Sequence, residues 1–329
     1  MKILVTGATS FIGFHIVEEL SKQGIMIRAA HRPGERFQAN HSSFLIDGLD
    51  MESLSLDVNN RQAVFQAVEG CDKVFHTDYF VSFQKKDKAR LYEINQNGTK
   101  NVMEACLAHQ VEKIVYTSGM ETLKAGPGKE SATEEDGVSL EDLHSDYEKS
   151  RYLGEREVNQ LCKQKGLPAI IVHPTVCLGK HDGAASPLGR YLLRYMRRKT
   201  HFYLDTGFNL IDVVDVAKGH LLASKRGEIG QRYILGNQNV YMLELLQHLE
   251  KLSGIRGPKT ALPFGMAKLG NSLAKTLFFR RGGIENTLIE RLKSPLFYDS
   301  SLARSELGLP QSNVWEALKR ELIDLQRFL

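Results

Sequence analysis

Over the first half of the chain the apolar positions switch between two rhythms. Lys2-Ile3-Leu4-Val5 is a short apolar run closed by Thr6-Gly7, the pattern of a buried strand ending in a turn. Ile12, Ile16, Val17 and Leu20 then recur at helical spacing, and Gly24 stops that helix. The same cycle returns down the chain. Strands are predicted over 25–30, broken by Pro33-Gly34, and over 53–56, closed by Asp57. Further strands are predicted over 73–76, 113–117 and 169–173, the last ended by Pro174. Helices are predicted over 62–68, 89–109 and 147–165, with Gly70 and Gly166 following the first and last. Such alternation implies parallel strands joined by right-handed crossovers, with ligands at the carboxyl ends of the strands.

Beyond residue 175 the rhythm becomes irregular. Apolar helices over 241–251 and 314–328 are separated by Gly/Pro loops, without repeats or low-complexity linkers. The fold class expected is therefore α/β: a Rossmann-type doubly wound parallel sheet over 1–175, rejoined by some later elements. Residues 176–329 are expected to form mainly a smaller, irregular substrate-binding cap.

Composition narrows the function classes. With 329 residues, 42% hydrophobic and 25% charged, the chain is of ordinary globular type. A net charge of +4 lacks the clear basic excess of a nucleic-acid binder. Cys71, Cys106, Cys162 and Cys177 form no C-x-x-C pair, so the thiols encode neither a zinc site nor a redox pair and fit a reducing compartment. The eleven histidines include no i, i+4 pair, and no metal is expected. No apolar run approaches the ~18 residues of a membrane helix, and the apolar start is too short for a signal peptide. A cytoplasmic protein without a membrane span is expected. The apolar stretch 262–279, broken by Lys268 and Lys275 and followed by Arg280 and Arg281, is expected to pack as a cap helix, with a membrane-surface helix as the alternative.

Thr6-Gly7-Ala8-Thr9-Ser10-Phe11-Ile12-Gly13 lies between the first strand and the first helix. A turn there aims backbone N–H groups and a helix N-terminus at a pyrophosphate. Gly7 allows the tight turn and Gly13 lets the helix press on the sheet, while Ser10 stands where a third glycine is usual. After the second strand an acid would take a ribose 2′-hydroxyl and an arginine a 2′-phosphate. Between Glu19 and Glu35 there is no acid, but Arg28, His31 and Arg32 are present. NADP is therefore the expected cofactor, with NAD as the alternative. Asp57 is placed to meet the adenine, or simply to start a turn.

Together with Asn95-x-x-Gly98-Thr99, Val115-Tyr116-Thr117-Ser118, Tyr147 in a Y-x-x-x-[K/R] spacing, His173-Pro174-Thr175, the stretch 203–211 and Arg232-Tyr233-Ile234-Leu235-Gly236, this loop resembles the extended short-chain dehydrogenase/reductase superfamily along essentially the whole chain. The second half looks most like its dihydroflavonol-reductase-like branch and the hopanoid-associated sugar-epimerase subgroup. The resemblance implies carbonyl/alcohol chemistry on a small molecule, in a homodimer joined by the helices over 89–109 and 147–165. It implies Tyr147 as acid/base, Arg151 as the cation that tunes it, and Asn95 and Ser118 as supporting donors. It also implies a dinucleotide held by Gly7, Thr9, Ser10, Phe11, Ile12, Gly13, Arg32, Asp57, Val58, Tyr147, Arg151 and Pro174.

The sequence departs from the superfamily pattern at one cleft. Arg151 stands in place of lysine, Gly119 in place of the catalytic serine, and His76-Thr77-Asp78-Tyr79 in place of His-Val-Ala-Ala. Arginine keeps the charge but cannot release a proton, and a lost hydroxyl removes a substrate hydrogen bond. Asp78 is a conceivable internal partner for Arg151. The expected function is an NAD(P)-dependent oxidoreductase or epimerase. The alternative is a degenerate member with non-redox catalysis or ligand binding without hydride transfer.

Overall fold

A computed structural model describes residues 1–35, 51–124, 131–183, 186–265 and 291–329. Strands β1 (Lys2–Thr6), β2 (Met26–His31), β3 (Met51–Ser55), β4 (Lys73–His76), β5 (Lys113–Thr117), β6 (Ala169–Pro174) and β9 (Arg232–Leu235) form one sheet in the order β3-β2-β1-β4-β5-β6-β9. Every neighbouring pair in it is parallel. The order reverses direction between β1 and β4, the switch point at which doubly wound sheets bind ligands.

Both faces of this sheet's central strands are buried, and these strands show it residue by residue. Ile3, Val5, Val115, Ile170 and Val172 enter one core with helices Phe11–Ser21 and Val213–Arg226. Leu4, Ile114, Tyr116, Ala169 and Ile171 face the other way, toward helices Arg61–Val68, Thr99–Ala108 and Asp146–Lys165. Successive side chains alternate faces, so a strand covered on both sides reads as a continuous apolar run.

The irregular half divides between two places. Helix Val213–Arg226 and β9 belong to the main core and sheet. A second core gathers Leu192, Tyr195, Leu210, Leu245, Leu246, Leu249, Leu318 and Leu322. It lies beside a three-stranded sheet of β10 (Gln238–Tyr241), β8 (Gly207–Asp212) and β7 (Val176–Leu178). β8 pairs antiparallel with β10 and parallel with β7.

The helix predicted over 89–109 is not one regular helix. It runs as Lys88–Tyr92, a π-helical turn Glu93–Gly98, and Thr99–Ala108. A side chain at Gly98 would stand 2.5 Å from Val58 Cγ2, so the widened turn sits where this segment presses against the β3 exit. The stretch with Lys268, Lys275, Arg280 and Arg281 lies outside the described residues. Among the described residues, no helix is long and apolar enough to cross a membrane.

Candidate active site

The loop after β1 is shaped by close backbone contact. Gly7 has φ +65°, and a Cβ on it would stand 2.8 Å from Asp78 Cα. A Cβ on Gly13 would stand 2.8 Å from Thr77 Oγ1 and closer still to the Gly7 carbonyl oxygen. Neither position has room for a side chain, for the reasons the loop spacing gave. Ser10 caps the helix: its Oγ accepts from Gly13 N at 3.1 Å. The amides of Phe11 and Ile12 begin that helix and have no acceptor within it.

Side chains from three elements meet over this loop. Arg32, just past β2, pairs with Asp78 at 2.5 Å and with Glu35 at 3.6 Å. Glu35 in turn accepts from Thr9 Oγ1 at 2.8 Å. Asp78 is buried; burial pushes its carboxyl up, against the pull of the Arg32 charge. Arg32 Nε is buried without a hydrogen-bond partner. Arg28 is elsewhere. It pairs with Glu52 and donates to the carbonyls of Ala67 and Glu69, at the end of helix Arg61–Val68 and just past it, rather than to the loop. Asp57 starts a turn, accepting from Asn59 N at 2.9 Å, and the Val58 carbonyl accepts from Asn101.

Next to Asp78, the ring of Tyr79 lies under the Arg151 guanidinium, with Cζ 4.3 Å from its centroid. Arg151 and Tyr147 sit one turn apart on helix Asp146–Lys165, which a Ser145/Glu148 capping box starts. Arg151 is fully buried. It donates to the Thr117 carbonyl at 2.7 Å and, through Nε, to Glu121 Oε1 at 3.1 Å. The Tyr147 hydroxyl donates to the same Glu121 oxygen at 3.0 Å. Burial, then the Glu121 charge, hold the Tyr147 phenol well above its ordinary value, with Arg151 opposing them. Tyr147 is thus kept as a protonated donor.

This arrangement corrects the expected pairing of Arg151 with Asp78. Each has its own partner, Glu121 for the arginine and Arg32 for the aspartate. Glu121 is the residue the sequence reading missed. A Cβ on Gly119 would stand 2.5 Å from Glu121 Oε1 and 2.6 Å from its Cδ. The carboxylate therefore fills the volume into which a serine at 119 would project. The signal was present as an acid two residues beyond a glycine in the serine position. The backbone beneath it is pinned: Arg291 donates to the carbonyls of Met120 at 2.6 Å and Glu121 at 3.3 Å, and Tyr298 to that of Met120 at 3.1 Å.

The two expected supporting donors face other partners. Ser118 Oγ donates to buried Glu155 at 2.5 Å, and Arg232 holds the other Glu155 oxygen at 2.5 Å. Asn95, inside the π-helical turn, accepts from Phe80 N and donates to Phe80 O and Ser150 Oγ, fixing the segment after β4 against helix Asp146–Lys165. Pro174 ends β6 beside β9. Among the described residues, no group of three or more His, Cys, Asp or Glu side chains is placed to hold a metal ion.

Residues 3–236 match the family model described as NAD dependent epimerase/dehydratase family. The chain belongs to this family. It is 33% identical to a Synechocystis protein named "Putative dihydroflavonol 4-reductase", over 95% of this chain and 91% of the relative. It is 31% identical to sterol demethylase protein B of Methylococcus capsulatus, over 94% of this chain and 93% of that one. The crystal structure of gox2253 superposes with a TM-score of 0.86 at 29% identity, covering 99% of this chain and 98% of the other.

Proposed function

We propose that this family member performs NAD(P)-dependent reductase or epimerase chemistry at a carbonyl or alcohol carbon of a small molecule, with Tyr147 as its acid/base group. One observation carries the reading. The Asp78 backbone packs on Gly7 of the phosphate-type loop, the ring of the next residue, Tyr79, lies under Arg151, and Arg151 and the Tyr147 hydroxyl share Glu121 Oε1.

The loop fits a dinucleotide on its own geometry. Two glycines let the turn and the helix close tightly on the β4 exit, the Phe11 and Ile12 amides have no acceptor within their helix, and Arg32 Nε is a buried donor without a partner. Gly7, Thr9, Ser10, Phe11, Ile12 and Gly13 would hold the pyrophosphate, and Arg32, Asp57 and Val58 would border the adenosine. Tyr147, Arg151 and Pro174 would border the other end. When bound, such a group supplies two-electron transfer to or from carbon. Of the two dinucleotides, NADP is the one expected from Arg28 and Arg32; Arg28 lies away from the loop, so that expectation rests on Arg32 alone.

The chain's residues divide the remaining work. Arg151 keeps a buried positive charge beside the reacting oxygen. Tyr147, held protonated, gives its proton to that oxygen, which suits carbonyl reduction. With no hydroxyl at Gly119, the Tyr147–Glu121 pair supplies the polar contact that a serine would make. The homodimer implied by the long helices belongs to the same reading and is tested by light scattering.

Fluorescence titration with NADH and NADPH tests the proposal first: absence of binding by both at millimolar concentration refutes it. Turnover of a carbonyl panel that survives Tyr147→Phe refutes the acid/base assignment. A second reading has its own support. A carboxylate touching a phenol places a base beside an acid, which serves proton transfer at carbon without net redox change. Deuterium entering the product carbon from solvent, rather than from labelled dinucleotide, distinguishes it.

A further inference from the structure

We infer that Asp78 sets this site for NAD over NADP by holding the Arg32 guanidinium away from a 2′-phosphate. The inference rests on the dinucleotide reading above and reverses the preference that the sequence alone suggests.

Arg32 is the only one of the two arginines of the β2 segment that reaches the loop. Its guanidinium lies between two carboxylates, Asp78 at 2.5 Å and Glu35 at 3.6 Å. Glu35 is oriented by Thr9, a residue of the loop itself. The Asp78 backbone is packed against the loop, since a Cβ on Gly7 would stand 2.8 Å from Asp78 Cα. Arg32 cannot leave freely. Asp78 is only 5% exposed, and a buried carboxylate stripped of its cation is strongly unfavourable. A 2′-phosphate would have to share a guanidinium whose Nη2 and Nη1 already face Asp78 and Glu35, and settle beside those two carboxylates. A ribose 2′-hydroxyl meets no such conflict, since a carboxylate accepts its hydrogen bond. The position after β4, rather than the end of β2 alone, thus decides the preference.

The test uses the full-length protein and the commercial dinucleotides. Isothermal titration should give NADH at least about tenfold tighter than NADPH, with AMP likewise displacing NADH better than 2′,5′-ADP. Asp78→Asn keeps the shape and removes the charge. It should raise NADPH affinity relative to NADH by about tenfold or more, with folding checked by circular dichroism. Tighter NADPH than NADH binding by the unaltered protein overturns the inference. So does an unchanged ratio in a folded Asp78→Asn protein. The wild-type AMP and 2′,5′-ADP comparison decides the matter if the variant does not fold, a preference for 2′,5′-ADP overturning the inference. Failure of both dinucleotides to bind overturns the inference together with the reading beneath it, whereas NADPH preference overturns the inference alone.

Discussion

Two arginine–carboxylate pairs mark the two ends of one cleft, and they are built differently. At the loop end, Arg32 and Asp78 come from the exits of β2 and β4, the two strands that flank β1, and the arginine keeps partial contact with solvent. At the Tyr147 end, Arg151 is fully buried and its partner Glu121 sits on a turn whose carbonyls Arg291 and Tyr298 grip. The first pair lies where a ligand's charge would compete for it. The second is part of the frame that orients an acid/base group. The difference teaches that one substitution type, an acid brought beside an arginine, selects a ligand in one place and sets a proton in another.

The sharpest way to break the comparison is at the phenol. Tyr147→Phe should lower turnover by about 10²–10⁴-fold, the range for losing a positioned acid/base group, while NADH binding by titration stays within a few-fold. Glu121→Ala should cost about 3–5 kcal/mol of stability in denaturant melts, because it strands the buried Arg151 charge. Gly119→Ser should destabilise in the same direction, since the new side chain drives the Glu121 carboxylate off Tyr147 and Arg151.

Acid sensitivity follows from histidines near both ends. His76, bonded to Thr6 and Thr99, is pulled down to about 3, first by burial and then by the Arg151 and Arg32 charges. His220 is pulled down to about 4 by burial. Both are neutral in the folded state and would take a proton when unfolded below about 6.5. Their contribution is present above that pH and is lost as pH falls through 6.5 toward 4 and 3. The slope should approach about 1.4 kcal/mol per pH unit for each group. His76→Gln should reduce that slope in melts recorded from pH 7 to 4. The smallest effect is expected at Arg28→Ala. It should cost about 1 kcal/mol from lost hydrogen bonds and leave the NADH/NADPH affinity ratio unchanged. A changed ratio would move Arg28 into the cleft.

What the sequence made legible follows the range of each interaction. Six of the seven strands of the main sheet were read, most plainly β1, β4, β5 and β6, where burial on both faces writes an apolar run, whereas β9 was not; Gly7 and Gly13 were readable because their need is local. Tyr147 and Arg151 were picked out by the superfamily resemblance, and the helix Asp146–Lys165 places them one turn apart. β8 and β10 were not readable, since four- and six-residue strands pairing across about 30 residues leave little periodicity of their own. Nor were the partners of the arginines. Asp78 was noticed as unusual but matched to the wrong cation, because spacing along the chain does not say which of two arginines a strand exit will face. Glu121 went unread, because nothing along the chain says that its carboxylate occupies the space beside Gly119.

The grip of Arg291 on the Met120–Glu121 turn spans 170 positions along the chain. Chain closure over such a distance comes late, after local helices and neighbouring strands have formed. The parallel sheet and its loop have most of what they need from the first 236 residues, but Glu121 does not receive its final anchor until the last quarter of the chain docks. By sequence separation, then, the loop end is tied by contacts within the first 78 residues and the turn beneath the phenol by one that spans 170. A cut between residues 236 and 291 should leave a nucleotide fold whose acid/base end was never finished.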